Sequence, residues 1–103
     1  MFVIEIRKVV LILAIRYYAV ATGRVQGVGF RMFVQQHALE LHITGWVKNI
    51  DDGTVTMEVQ GEPEAINKLE KIILKGNYFI KVQSFSLEVR EPVADEKRFE
   101  IRY

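Results

Sequence analysis

The segment Gly23-Arg24-Val25-Gln26-Gly27-Val28-Gly29-Phe30-Arg31 sets both the architecture and the chemistry of this chain. Three glycines fall within seven residues of it, and glycine adopts backbone conformations that a Cβ forbids. A turn of this kind can point successive N–H groups into one concavity, a nest that binds an anion. Upstream, Ile15 to Thr22 are rich in aromatic and β-branched residues, which predicts a strand ending at Gly23. Downstream, Phe30, Phe33, Val34, His37, Ala38 and Leu41 recur at helical spacing, which predicts a helix from Phe30 to Leu41. The loop thus opens into a helix N-terminus, whose free N–H groups and partial positive charge favour a negative ligand. Arg31 stands at that junction, and its planar donor fork suits phosphate oxygens. These features read as a phosphate site. Taken alone, the same residues also fit an ordinary strand-to-helix turn with a solvated Arg31.

The remaining punctuation gives the element order. Trp46 to Ile50 and Thr54 to Gln60 are short β-prone runs, and Asp51-Asp52-Gly53 between them signals a hairpin. Glu62-Pro63-Glu64 opens a second helix, with proline near its start and acidic residues in its first turn. Ala65, Ile66, Leu69, Ile72 and Ile73 form its apolar stripe, and Lys75-Gly76-Asn77 ends it. A further strand lies near Ile80 to Arg90. Its alternation slips between Val82 and Phe85, as at a bulge or a change of partner. Glu91-Pro92 breaks the chain, and Phe99, Ile101 and Tyr103 alternate in a short terminal strand. The order is β-α-β-β-α-β plus one strand. It predicts an α+β, ferredoxin-like sandwich: two helices on one face of an antiparallel sheet, with a short extra C-terminal strand.

Composition narrows the functional classes. The 103 residues suffice for one domain. The chain contains no cysteine, which excludes disulfides, thiolate metal sites and a cysteine nucleophile. A formal net charge of +1 gives no general drive toward nucleic acid or an anionic membrane. The apolar run Val9-Val10-Leu11-Ile12-Leu13-Ala14-Ile15 follows Arg7 and Lys8, and Ala19-Val20-Ala21 imitates a signal-peptidase site. Cleavage there would remove most of the strand leading into the glycine loop. The run is also too short to span a bilayer, and Arg16 ends it. The expectation is a cytoplasmic protein without a membrane partner.

The glycine loop lacks the Lys-Ser/Thr ending of a P-loop and the glycine spacing of a dinucleotide fingerprint. It resembles the signature of the acylphosphatases, Gly-x-Val-Gln-Gly-Val-x-Phe-Arg. A second signature of that family follows: Gly45-Trp46-Val47-Lys48-Asn49, three residues, Gly53-Thr54-Val55, five residues, Gly61. The resemblance covers residues 16 to 103 and leaves residues 1 to 15 as an extension. It departs at Ala21, where the family carries a β-branched aliphatic residue. The resemblance implies hydrolysis of the carboxyl-phosphate bond of a small acyl phosphate. The phosphoryl group would be held by the loop Gln26, Gly27, Val28, Gly29, Phe30 and Arg31, and Asn49 would position the attacking water. It implies no metal, cofactor or covalent intermediate. On spacing alone, Asn49 is better explained as a residue entering the hairpin turn; the family resemblance reverses that reading.

Other polar residues have plainer readings. His37 falls on the apolar stripe of the first helix and His42 lies near its end, so both read as structural. They are five apart and share no helix face suited to a metal pair. Asp51 and Asp52 belong to the turn, and Arg24 reads either as a solvated residue without contact or as a source of positive field beside the loop. Two other functions compete: a noncatalytic acyl- or carbamoyl-phosphate binding module, and a ferredoxin-like RNA-binding domain. The latter needs aromatics on its central strands, and Thr54–Gln60 has none, so no nucleic-acid partner is expected. Alternating Phe2, Ile4 and Ile6 favour an extended strand in residues 1 to 15. That strand is expected to continue into the next one and pair along a sheet edge, either of its own chain or of a second copy, the latter giving a homodimer.

Overall fold

The computed structural model describes residues 4–6, 9–11 and 14–103. Its elements are β1 (Ile4–Ile6), β2 (Val9–Leu11), β3 (Ile15–Arg24), α1 (Phe30–Glu40), β4 (Thr44–Asn49), β5 (Val55–Gly61), α2 (Pro63–Lys75), β6 (Lys81–Arg90) and β7 (Phe99–Arg102). The main sheet has the order β6-β3-β5-β4-β7. In it β3 and β4 flank β5, and β3 lies between β5 and β6, so each helical crossover skips one strand. This is the split βαβ arrangement. The first four strands of the order pair antiparallel, as expected. The added strand β7 runs parallel to β4 and makes the sheet mixed.

The helices form where local signals agree. Proline begins α2 and Gly76, at φ 61°, follows its last residue, where only a residue tolerant of left-handed backbone ends a helix without strain. Ile66, Leu69 and Ile73 of its stripe are buried, while Ala65 and Ile72 are half-buried. The buried three pack with Phe30, Val34 and Ala38 of α1 over Ala19, Ala21, Val47, Val55, Met57 and Val59 of the sheet, all at most 3% exposed. Ala21, where the family resemblance departs, is thus a core position. Strand β6 pairs with β3 through a register shift: Thr22 faces Ser84 but Gly23 faces Val82, leaving Gln83 as the extra residue. The slip in sequence alternation between Val82 and Phe85 marks this bulge.

The opposite sheet face is polar. Arg16, only 2% exposed, donates from Nε to Glu58 at 2.6 Å and from Nη1 to Glu96 at 2.8 Å and Gln60 at 3.1 Å. Tyr18 and Trp46 also lie on this face, with Arg90 and Arg102 stacked over them at 5.0 and 4.9 Å. No aromatic occurs in β5, but its neighbours carry these two.

In the N-terminal extension β1 and β2 pair antiparallel with each other, Ile6 opposite Val9, as a separate two-stranded sheet. The expected continuation into β3 crosses residues 12–13, which lie outside the described residues, as do residues 1–3 and 7–8. Among the described residues, no helix is long and apolar enough to cross a membrane.

Candidate active site

The glycine loop occupies residues 25 to 29, between the end of β3 and the start of α1. Gly27 and Gly29 sit at φ 72° and 78°. A Cβ built on either would meet nothing within 4 Å, so glycine is required here by conformation rather than by space. Gly29 is the N-cap of α1; the cap has no side-chain hydrogen bond and the first turn has no acidic residue. Phe33 N donates to Gly29 O at 3.0 Å. The N–H groups ahead of it are those a helix start leaves without an intrahelical acceptor. With no acidic residue in its first turn, this end of α1 is electrostatically open to an anion. Val25 and Phe30, 2% and 1% exposed, anchor the loop in the core at both ends.

A pocket of about 180 Å³ opens at this turn, lined by backbone and side chains of Gly27, Gly29, Phe30, Arg31 and Asn49 together with Val25, Met32, Ile101 and Tyr103. The fold therefore brings residues from both signatures to one place. Arg31 comes from the first turn of α1, and Asn49 is the last residue of β4. Asn49 Oδ1 is buried and has no hydrogen-bond partner. Buried polar atoms are rarely left in this state, because desolvation without a partner costs about 1–3 kcal/mol. Such an atom beside an anion-receptive turn is suited to a water or ligand.

Not every residue of the loop faces the pocket with its side chain. Gln26 turns its amide toward the β4–β5 hairpin, donating from Nε2 to Ile50 O at 2.7 Å and Thr54 O at 2.9 Å. Val28 is half-buried against the core, so Gln26 and Val28 are not among the side chains that line the pocket. Asp52 caps the hairpin: its Oδ1 accepts from Thr54 N at 2.9 Å and Thr54 Oγ1 at 2.7 Å. Those bonds, the side-chain one foremost, lower its pKa. Asp51 is exposed in the same turn, and neither carboxylate lines the pocket. His37 lies edge-on to Phe33 with ring centroids 4.7 Å apart, and exposed His42 adopts φ 57° just past α1. Arg24, exposed at the end of β3, is also outside the pocket lining.

Sequence reading missed the C-terminal wall. The Arg31 guanidinium lies 4.7 Å from the centre of the Tyr103 ring, and its Nη1 donates to Arg102 O at 3.3 Å. Ile101 and Tyr103 reach the site because β7 is parallel to β4, with Val47 opposite Ile101. The alternation of Phe99, Ile101 and Tyr103 announced a strand but not which partner it would choose.

Fold and site together define a small α+β protein in which an anion-receptive strand-to-helix turn shares a pocket with an asparagine whose amide oxygen is unpartnered. The acylphosphatase family model matches residues 17–101. An acylphosphatase of Geobacillus kaustophilus (strain HTA426) is 51% identical over 88 residues, spanning 85% of this chain and 94% of the relative. The crystal structure of acylphosphatase from Bacillus subtilis superposes with a TM-score of 0.81 at 38% identity, covering 86% of this chain and 99% of that one. A crystal structure of full-length HypF in the phosphate- and nucleotide-bound form gives a TM-score of 0.79 at 28% identity, covering 90% of this chain but 12% of the larger one. The chain belongs to the acylphosphatase family, enzymes that hydrolyse acyl phosphates.

Proposed function

We propose that this chain hydrolyses acyl phosphates by in-line attack of a water held by Asn49 on a phosphoryl group held by the loop. The main-chain N–H groups of Gln26, Gly27, Val28, Gly29, Phe30 and Arg31, with the Arg31 fork, receive the phosphoryl oxygens. The water oxygen forms the new bond to phosphorus while the bond to the carboxyl oxygen breaks. The carboxylate leaves with the electron pair, and a proton of the water passes to a phosphoryl oxygen. The products are a carboxylate and inorganic phosphate.

A carboxylate is a weak base and leaves without a general acid, so the reaction needs only positioning and charge stabilisation. That matches the parts present: Asn49 can donate and accept but has no useful pKa, and each donor aimed at developing charge is worth about 3 kcal/mol. The observation that carries this reading is the buried, unpartnered Oδ1 of Asn49, a residue that lines the same pocket as Arg31 and the two left-handed glycines. Phosphate release from acetyl and benzoyl phosphate, with Arg31→Ala as control, tests it. Turnover by the full chain that is lost in the variant supports it, and absence of turnover contradicts it.

Residues 16–103 form the catalytic domain in this reading, and residues 1–15 are an extension that adds strand structure and supports a homodimer. The substrate is a small acyl phosphate met in the cytoplasm, with no nucleic-acid or membrane partner.

A further inference from the structure

We propose that Gln26 is a positioning residue that fixes the distance between the anion nest and Asn49. The inference rests on the reading of Asn49 as the group that orients water. A phosphoryl group in the nest and a water on Asn49 react only if the two signatures are held in register, yet they lie on separate elements. Gln26 is in the loop itself, next to Gly27. Its Nε2 donates to Ile50 O, the residue directly after Asn49, and to Thr54 O, at the other base of the hairpin. Ile50 N donates to that same Thr54 O at 2.9 Å, and Gly53 N donates to Ile50 O at 3.0 Å.

One amide nitrogen therefore closes the base of the hairpin onto the loop. Both of its hydrogens are used, and both acceptors are main-chain carbonyls. The amide orientation is fixed by them, since the oxygen in that place would face two other oxygens. Asn49 is one residue from this clamp and has no hydrogen bond through Oδ1 to hold its own side chain. Among the described residues, these two bonds are the side-chain hydrogen bonds that join the 25–31 loop to the 49–54 hairpin. The second signature thus depends on a side chain of the first. Gln26 acts on the water through the hairpin, while its main-chain N–H remains available to the anion.

The test is a double-mutant cycle in the full chain, with Gln26→Met, which keeps the length and removes the donors, and Asn49→Ala. Gln26→Met should lower kcat by about 10- to 100-fold, as displacement by about 1 Å does at a reacting centre. The inhibition constant of inorganic phosphate should change by less than about threefold, because the nest is intact. In the Asn49→Ala background, Gln26→Met should lower kcat by less than about twofold, since the group it positions is gone. Thermal melting of each variant verifies folding. Independent, multiplicative losses, or phosphate affinity falling in step with kcat, would overturn the role of Gln26 alone. Normal turnover by Asn49→Ala would overturn the reading beneath it as well.

Discussion

Arg31 lies with its guanidinium 4.7 Å above the ring of Tyr103, although the two are far apart in sequence. Its Nη1 bond to Arg102 O, at 3.3 Å, is long and uses one of five donors. The ring and the strand hold the fork's plane while leaving donors free. Arg31→Lys keeps the charge but loses the fork and the planar stack. Its kcat/KM in a phosphate-release assay should fall by about 100-fold or more. Turnover near that of the parent chain would remove the fork from the mechanism.

The uncapped N-terminus of α1 and the left-handed glycines of the loop exist only in the folded chain. Phosphate or sulfate should therefore raise the melting temperature. At a concentration about 100 times the dissociation constant, the linkage contribution is about 2.7 kcal/mol. Thermal scans with and without phosphate check this. A melting temperature indifferent to anions in an active preparation would mean that the nest is not preformed.

Burial alone would raise the Glu96 pKa, but the hydrogen bonds and charge of Arg16 hold it below the ordinary value of 4.5. A carboxyl depressed in the folded state stabilises above its unfolded pKa, and that contribution is lost as pH falls through the folded value. Glu96→Gln should thus be less stable than the parent near neutral pH, with the difference shrinking as pH drops below 4.5. Urea unfolding at pH 7 and pH 3 reads the two gaps. Equal gaps at both pH values would show that the Arg16–Glu96 ion pair contributes nothing.

Both family signatures and every residue lining the pocket lie beyond residue 14. Deletion of residues 1–14 should leave kcat/KM within about twofold, a change worth less than about 0.5 kcal/mol. Light scattering should report a dimer for the full chain and a monomer for the truncated one. A full-length monomer would contradict the assembly role of the extension.

The parts of the fold that local chemistry encodes were legible in the sequence. Pro63 and Gly76 bracket α2, Asp51-Asp52-Gly53 turns the hairpin, and the slip at Val82 to Phe85 is a bulge. Gly27, Gly29, Arg31 and Asn49 were marked by their motifs and meet in one pocket. Contacts between distant residues were not legible. Arg16 looked like the end of an apolar run, yet it is buried among Glu58, Gln60 and Glu96, the last 80 residues away. Tyr103 and Ile101 showed only strand alternation, because pairing with β4 is decided by sheet order and not by any local signal. The direction of the Gln26 amide is likewise set by carbonyls more than 20 residues downstream.

The most direct test of the water-positioning role is the steady-state kinetics of Asn49→Ala on benzoyl phosphate, with inorganic phosphate as competitive inhibitor. In this variant kcat should fall by about 100-fold or more, since only transition-state positioning is lost. The phosphate inhibition constant should stay within about threefold, because the loop and Arg31 still hold the anion. Retention of kcat with a collapse of phosphate affinity would contradict this role, placing Asn49 on the phosphoryl group instead of on the water.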